Sequence, residues 1–387
     1  MAHPNRTSFW KKTLPIACLM LAILACSTSP AIPTAPAISK TAQARLTPAE
    51  PNTQVEIPIK VGHAVRGSFY ELYFTDPLDP AASLDEGGPD GPLAAAIDEA
   101  RMSVDVAIYS ISLNSIQNAL INAHKRGVEV RVVMESDNMG DRVPQALKDA
   151  GIPMIGDRRQ GLMHDKFVVI DRAEVWTGSM NFTYSGAYQD NNNLIRIRSL
   201  KVADDYTVEF DEMFTDDFFG PDIVSKTPNP KVTLDGVPIE VYFSPDDHVA
   251  RRIVTLLRGA EKSIKFMAYS FTANDFGDII IQKAKEKLSV AGVMDADMIK
   301  SNAGSEYIKF SQAGLSVFPD GNPSLMHDKV IIIDNEIVIT GSYNFTSSAE
   351  RINDENVVIF FDRQIATSYL AEFERIYSAA PKIQTQQ

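Results

Sequence analysis

Cysteine is almost missing from this 387-residue chain: it occurs only at Cys18 and Cys26. Everything beyond Cys26 lacks a thiol, which excludes a disulfide framework, a Cys-ligated metal and thiol catalysis from the folded part. Bases are also in deficit, with 37 Lys and Arg against 50 Asp and Glu and a formal charge of −13. Such a surface repels phosphate backbones unless it carries a local basic patch, so composition counts against a nonspecific nucleic-acid binder. No apolar run is long enough to span a bilayer. TLPIACLMLAILA, Thr13 to Ala25, falls short of the roughly 20 residues that a spanning helix needs.

That run follows Arg6, Lys11 and Lys12 and ends in small residues before Cys26, the layout of an export signal, so residues 1–25 are expected to be removed. Its end, ILAC, resembles the lipobox of bacterial lipoproteins. The resemblance implies acylation of Cys26 and a mature protein anchored on the outer side of a bacterial membrane; without acylation the same signal yields a secreted protein. Residues 26–54, rich in Pro, Ser, Thr and Ala, cannot bury enough apolar surface to fold and read as a tether.

The rest of the chain has room for roughly two ordinary domains, each able to bury its own core. VDVAIYSIS reads as a strand, LNSIQNALINAHKRG as a helix and VEVRVVMES as the next strand. KSIKFMAYSFT, ANDFGDIIIQKAKEK and LSVAGVMDAD repeat that order. ELYFTDP at Glu71 matches EVYFSPD at Glu240, and IYS ending at Ser110 matches AYS ending at Ser270. MHDKFVVIDRAEVWTGSMNFT and MHDKVIIIDNEIVITGSYNFT agree at more than half their positions without a gap. The pattern predicts an internal duplication with α/β halves at 55–225 and 235–380, joined in the Pro- and Gly-rich stretch from Gly220 to Pro238. An acidic insertion from Asp76, DPLDPAASLDEGGPDG, occurs in the first half only; its spacing does not fit a calcium loop, and it reads as a solvated loop.

Each repeated block places a His and a Lys two residues apart, His164 with Lys166 and His327 with Lys329. On a strand such a pair shares one face and can reach one anion. TGSMNF and TGSYNF then bring Gly178, Ser179 and Asn181, and Gly341, Ser342 and Asn344. Glycine permits close backbone approach, while hydroxyl and amide supply donors, so the set reads as an oxyanion site. A lysine beside each histidine opposes a bound cation, so neither metal nor cofactor is expected.

The pattern His, any residue, Lys, four residues, Asp, six residues, Gly-Ser-any-Asn resembles the phospholipase D superfamily. His164, Lys166, Asp171, Gly178, Ser179 and Asn181 match it once, and His327, Lys329, Asp334, Gly341, Ser342 and Asn344 match it again. The resemblance implies two tandem α/β/α sandwich halves with mixed sheets about a pseudo-twofold axis, their motifs meeting in one active site, so that a monomer suffices. It also implies a phosphohistidine route in which one His attacks phosphorus and the other protonates the leaving alkoxide. Lys166, Lys329, Asn181 and Asn344 would hold the phosphoryl oxygens, with Ser179 and Ser342 in support. Asp171 and Asp334, at strand ends, are expected to satisfy turn backbone instead.

Related two-copy enzymes suggest His164 as nucleophile and His327 as acid. Glu355 stands where the family has a carboxylate that orients a histidine; the equivalent position in the first half is Asn192. Pairing of Glu355 with His327 would favour a protonated His327, and is the expectation here. The substrate is expected to be a phospholipid, hydrolysed at its headgroup phosphodiester. The alternative is a nuclease, with Arg158, Arg159, Arg196 and Arg198 on nucleic-acid phosphates. A scaffold without activity would be expected to have lost one motif, and both are whole.

Overall fold

The strand KVIII of the second repeat, Lys329–Ile333, shows how the chain is built. Val330 and Ile332 face one hydrophobic cluster and Ile331 and Ile333 face another, the period of two that a strand covered on both faces requires. A computed structural model describes residues 54–381 apart from Gln160, Ile223 and Ser225. The export signal, Cys26 and all but the last residue of the tether therefore lie outside the described residues.

The first half forms a nine-stranded sheet from β1 (Val55–Ile57), β2 (His63–Arg66), β3 (Tyr70–Phe74), β4 (Ser103–Ile108), β5 (Glu129–Met134), β6 (Met154–Gly156), β7 (Lys166–Ile170), β8 (Glu174–Gly178) and β9 (Asn193–Arg198). Their order is β1-β2-β3-β9-β8-β7-β4-β5-β6. The second half forms an eight-stranded sheet from β10 (Lys231–Leu234), β11 (Val237–Ser244), β12 (Ser263–Ala268), β13 (Ser289–Met294), β14 (Ser316–Pro319), β15 (Lys329–Ile333), β16 (Ile337–Gly341) and β17 (Glu355–Phe361). Its order, β10-β11-β17-β16-β15-β12-β13-β14, repeats the first from β2 onward. The pairs β4·β5, β5·β6, β12·β13 and β13·β14 are parallel and the others antiparallel, giving two mixed sheets. β10 lies inside the stretch expected to be linker, so the second sheet begins at Lys231, earlier than the expected 235.

The crossover helices follow their sequence pattern. Helix Asn114–Lys125 buries Ile116, Ala119, Leu120 and Ala123, one stripe at helical spacing. Two longer helices, Leu200–Phe214 and Arg363–Ala379, are each capped by a side chain, Ser199 on the amide of Val202 and Asp362 on those of Gln364 and Ile365. They pack on their own sheets and also touch the opposite half: Tyr206 meets Phe243 edge-on at 5.0 Å, and Tyr369 meets Phe74 in the same way at 5.0 Å.

The two halves share part of their core. One continuous cluster takes in the first half together with Met267, Val330, Ile332, Val358 and Tyr369 of the second; only the outer face of the second sheet has a core of its own. The inner faces and the two long helices exclude water as a single layer.

Candidate active site

The repeated tetrapeptides sit where the halves meet. His164 N donates to Asp354 O at 3.0 Å and Asp354 N to Leu162 O at 2.9 Å. The second copy mirrors this, with His327 N on Asn191 O at 2.9 Å and Asn191 N on Leu325 O at 2.8 Å. Each tetrapeptide thus runs as a short parallel bridge beside a segment of the other half. That register sets His164 opposite Glu355 and His327 opposite Asn192.

The expected pairing is therefore reversed. Glu355 does not serve His327: its Oε2 lies 2.8 Å from Nδ1 of His164, while Nδ1 of His327 lies 2.9 Å from Oδ1 of Asn192. The reason is the crossing of the bridges, which gives each imidazole a partner from the other repeat. Asn192 Nδ2 donates to Gly186 O at 2.9 Å, so its Oδ1 faces the ring and accepts. Both rings are thereby held at Nδ1.

The lysines open β7 and β15, where their side chains are buried. Lys166 Nζ donates to His164 O at 2.6 Å and Lys329 Nζ to His327 O. Above them lie the tyrosines of the IYS and AYS repeats: Lys166 Nζ is 5.3 Å from the ring of Tyr109 and Lys329 Nζ 4.8 Å from that of Tyr269. Tyr109 also meets His164 at 5.3 Å and Tyr269 meets His327 at 4.8 Å, so two aromatic walls flank both motifs.

Burial and the two lysine cations push both imidazoles well below their ordinary range, and the charge of His164 lowers His327 further. Burial lowers Lys166 to about 8, against the opposing carboxylates of Glu355 and Asp165, and lowers Lys329 as well, with Lys166 adding repulsion. Burial raises Glu355 to about 7. A bound anion would oppose the lowering of the two histidines and two lysines by stabilising their cationic forms.

The remaining motif residues divide. Ser179 and Ser342 do not present their hydroxyls as free anion donors: Ser342 Oγ donates to Glu355 Oε2 at 2.7 Å and Ser179 Oγ to Asn192 Oδ1 at 2.8 Å, so each serine holds the partner of a histidine. Asn181 and Asn344 keep a buried Oδ1 without a hydrogen-bond partner. Gly178 and Gly341 adopt φ of +147° and +146°, and a Cβ there would come within 2.3 Å of Asn193 O and 2.1 Å of Asn356 O. The close approach they permit is to a neighbouring strand and not to a ligand. Asp171 and Asp334 lie at the far ends of β7 and β15 from the histidines. They accept from the amides of Arg101, Met102 and Ser103, and of Glu261, Lys262 and Ser263, as turn residues and not as part of the site.

The four candidate phosphate-binding arginines are all engaged by acids. Arg196 pairs with Glu174 at 2.6 Å and with Glu71 at 3.4 Å, and Arg198 with Glu71 at 2.9 Å. Both lie on β9 beyond the Asn193 end that reaches the site. Arg158 pairs with Asp217, and Arg159 with Asp222 at 2.8 Å. In the acidic insertion, Asp76 pairs with Arg375 at 3.0 Å and Asp79 caps a short 3₁₀ turn. Among the described residues no group of three or more His, Cys, Asp or Glu is arranged to hold a metal ion.

Sequence reasoning missed Asp165 and Asp328, the third letters of the repeated tetrapeptides. Both are fully buried and raised to about 7, chiefly by burial. It missed their partners Asn356 and Asn193 as well. The available signal was that an asparagine follows each histidine partner, Glu355-Asn356 and Asn192-Asn193.

Comparison with known proteins places this geometry. The sequence profile described as "Cardiolipin synthase, PLD-like domain" matches residues 93–214 and again 253–377. Over 132 residues the chain is 36% identical to a phospholipase D of Rickettsia prowazekii, covering 34% of this chain and 64% of that protein. The chain thus spans less than two thirds of that relative's length. A phospholipase D of Rickettsia bellii is 31% identical over 153 residues, 38% of this chain and 76% of the relative. Among solved structures, the phosphatidylserine synthase of Haemophilus influenzae matches 76% of this chain and 87% of its own with a TM-score of 0.56; at 13% identity this is a likeness of fold.

Proposed function

Because the chain belongs to the phospholipase D-like family, matched by profile in both halves, we propose that it is a phospholipase D-type phosphodiesterase that hydrolyses phospholipid headgroup esters through a phosphohistidine. The observation that carries this reading is the pair of buried imidazoles, one from each repeat, both held at Nδ1 by the opposite half and each set beside a lysine.

His164 is the nucleophile. Glu355 takes its Nδ1–H, presents the Nε2 lone pair and neutralises the positive charge that grows on the ring as the N–P bond forms. As the P–O bond to the headgroup alcohol breaks, His327 gives its Nε2 proton to the departing oxygen. Water then attacks phosphorus, His327 takes the proton back, and the N–P electrons return to His164. Lys166, Lys329 and the amides of Asn181 and Asn344 hold the non-bridging oxygens. This keeps the nucleophile expected from the sequence while reversing the reason: the carboxylate suits the histidine that becomes cationic by bonding to phosphorus.

The acidic surface and the engagement of Arg158, Arg159, Arg196 and Arg198 by acids favour a lipid over a nucleic acid. Export and acylation at Cys26 would hold the site beside a membrane, a further part of the proposal. Purified protein offered phosphatidylcholine and single-stranded DNA, beside His164→Ala and His327→Ala, tests the reading. Release of choline that both substitutions abolish, with DNA intact, is expected. DNA cleavage without choline release would transfer the site to the nuclease alternative.

A further inference from the structure

We propose that Asn193 and Asn356 are positioning residues for this reaction, each locking into the opposite half and thereby setting one of the two histidines. The inference rests on the phosphodiesterase reading and adds a division of labour to it.

Each asparagine enters a pocket built by three residues of the other repeat. Asn356 Nδ2 donates to Asp165 Oδ1 at 2.7 Å, while its Oδ1 accepts from Thr177 Oγ1 at 2.6 Å and Tyr206 OH at 3.1 Å. Asn193 Nδ2 donates to Asp328 Oδ1 at 2.6 Å, while its Oδ1 accepts from Thr340 Oγ1 at 3.0 Å and Tyr369 OH at 3.1 Å. All eight residues are buried. A carboxamide suits this pocket because it donates from one end and accepts twice at the other. Aspartate would lose the donor and oppose a second carboxyl, and an apolar residue would strand three buried polar groups.

The locks connect to the imidazoles by short chains of hydrogen bonds. Asn356 N donates to Ser342 Oγ at 3.0 Å, Ser342 Oγ to Glu355 at 2.7 Å, and Glu355 holds His164. Asn193 N donates to Ser179 Oγ at 3.1 Å, Ser179 Oγ to Asn192 at 2.8 Å, and Asn192 holds His327. Asn356 therefore governs the nucleophile and Asn193 the acid.

These roles separate by leaving group. A nitrophenolate departs without protonation, whereas an alkoxide such as choline requires the acid. Asn193→Ala should lose on the order of 10²-fold or more in kcat on phosphatidylcholine in micelles but less than about tenfold in the pre-steady-state burst rate on bis(p-nitrophenyl) phosphate, the step that needs no acid. Asn356→Ala should lose comparable factors on both, with KM changed by less than about threefold in either variant. Thr340→Val and Thr177→Val, which remove one donor from each pocket at constant shape, should reproduce the two patterns at smaller amplitude. Equal losses on both esters for Asn193→Ala and Thr340→Val, as from general destabilisation, or full retention of kcat, would overturn the inference. A parent protein inactive on both esters would instead sink the phosphodiesterase reading. Imidazole titrations followed by NMR then decide the locks alone: Asn356→Ala should shift His164 more than His327 and Asn193→Ala the reverse, and equal shifts or none refute them.

Discussion

His164 and Glu355 stand 191 residues apart in sequence and 2.8 Å apart in space, each contributed by a different repeat. Replacing the carboxylate by its amide keeps the shape but removes the charge that balances a cationic imidazole. Glu355→Gln should lower kcat by on the order of 10²-fold or more with little change in KM, measured on any diester the parent hydrolyses. An unchanged kcat would remove Glu355 from the mechanism.

Asn192 offers the converse experiment. Asn192→Asp would give His327 a carboxylate too, and a nearby anion favours the imidazolium, raising the pKa of that ring. The acid would then stay protonated to higher pH, so the basic limb of the kcat/KM profile should move upward relative to the parent. A limb that stays in place or moves downward would show that His327 is not the group titrating there.

The nucleophile can be caught directly. In His327→Ala the first step should proceed on bis(p-nitrophenyl) phosphate, whose leaving group departs unaided, while water lacks its base. A burst of nitrophenolate and a phosphoryl adduct on the His164 peptide by mass spectrometry are expected. An adduct on His327 in His164→Ala, with none on His164, would reverse the assignment.

Asp328 makes a prediction about stability. Burial raises its folded pKa to about 7, above the unfolded carboxylate range. Between about pH 4 and 7 the folded state therefore holds a proton that the unfolded chain has released, so the contribution is fully present below pH 4 and is lost as pH rises through 7. Asp328→Asn removes this dependence while still accepting from Asn193. Its stability relative to the parent should increase by about 1.4 kcal/mol per pH unit across that window. Denaturant midpoints at pH 4.5, 6 and 7.5 would show it, and a constant difference would refute it.

The sequence reveals those features that depend on local repetition. The period-two strands, the helical stripe of Ile116, Ala119, Leu120 and Ala123, and the paired His-Lys motifs all recur at fixed spacing, so the duplication and both halves of the site are legible in the order of residues alone. Contacts that arise only when the halves dock are not local. Nothing near Glu355 in sequence says that it will face His164, because the pairing follows from the crossed bridges between repeats. Asp165 looks like a solvated charge between His164 and Lys166, yet it is completely buried because Asn356 of the other half reaches it. Arg196 and Arg198 alternate with apolar residues on β9 as free phosphate ligands would, but Glu71 and Glu174 occupy them from neighbouring strands.

The crossed pairing has a consequence for how such a site can change over generations. If two identical copies of one repeat assembled as a symmetric pair, any substitution at the position facing the imidazole would appear twice, and both histidines would receive the same neighbour. Covalent fusion of the copies breaks that constraint. With Asn192 and Glu355 encoded separately, one ring keeps a charged neighbour while the other acquires a neutral one. A single codon change can therefore alter the neighbour of one imidazole and leave that of the other as it was, which no symmetric assembly of identical chains permits.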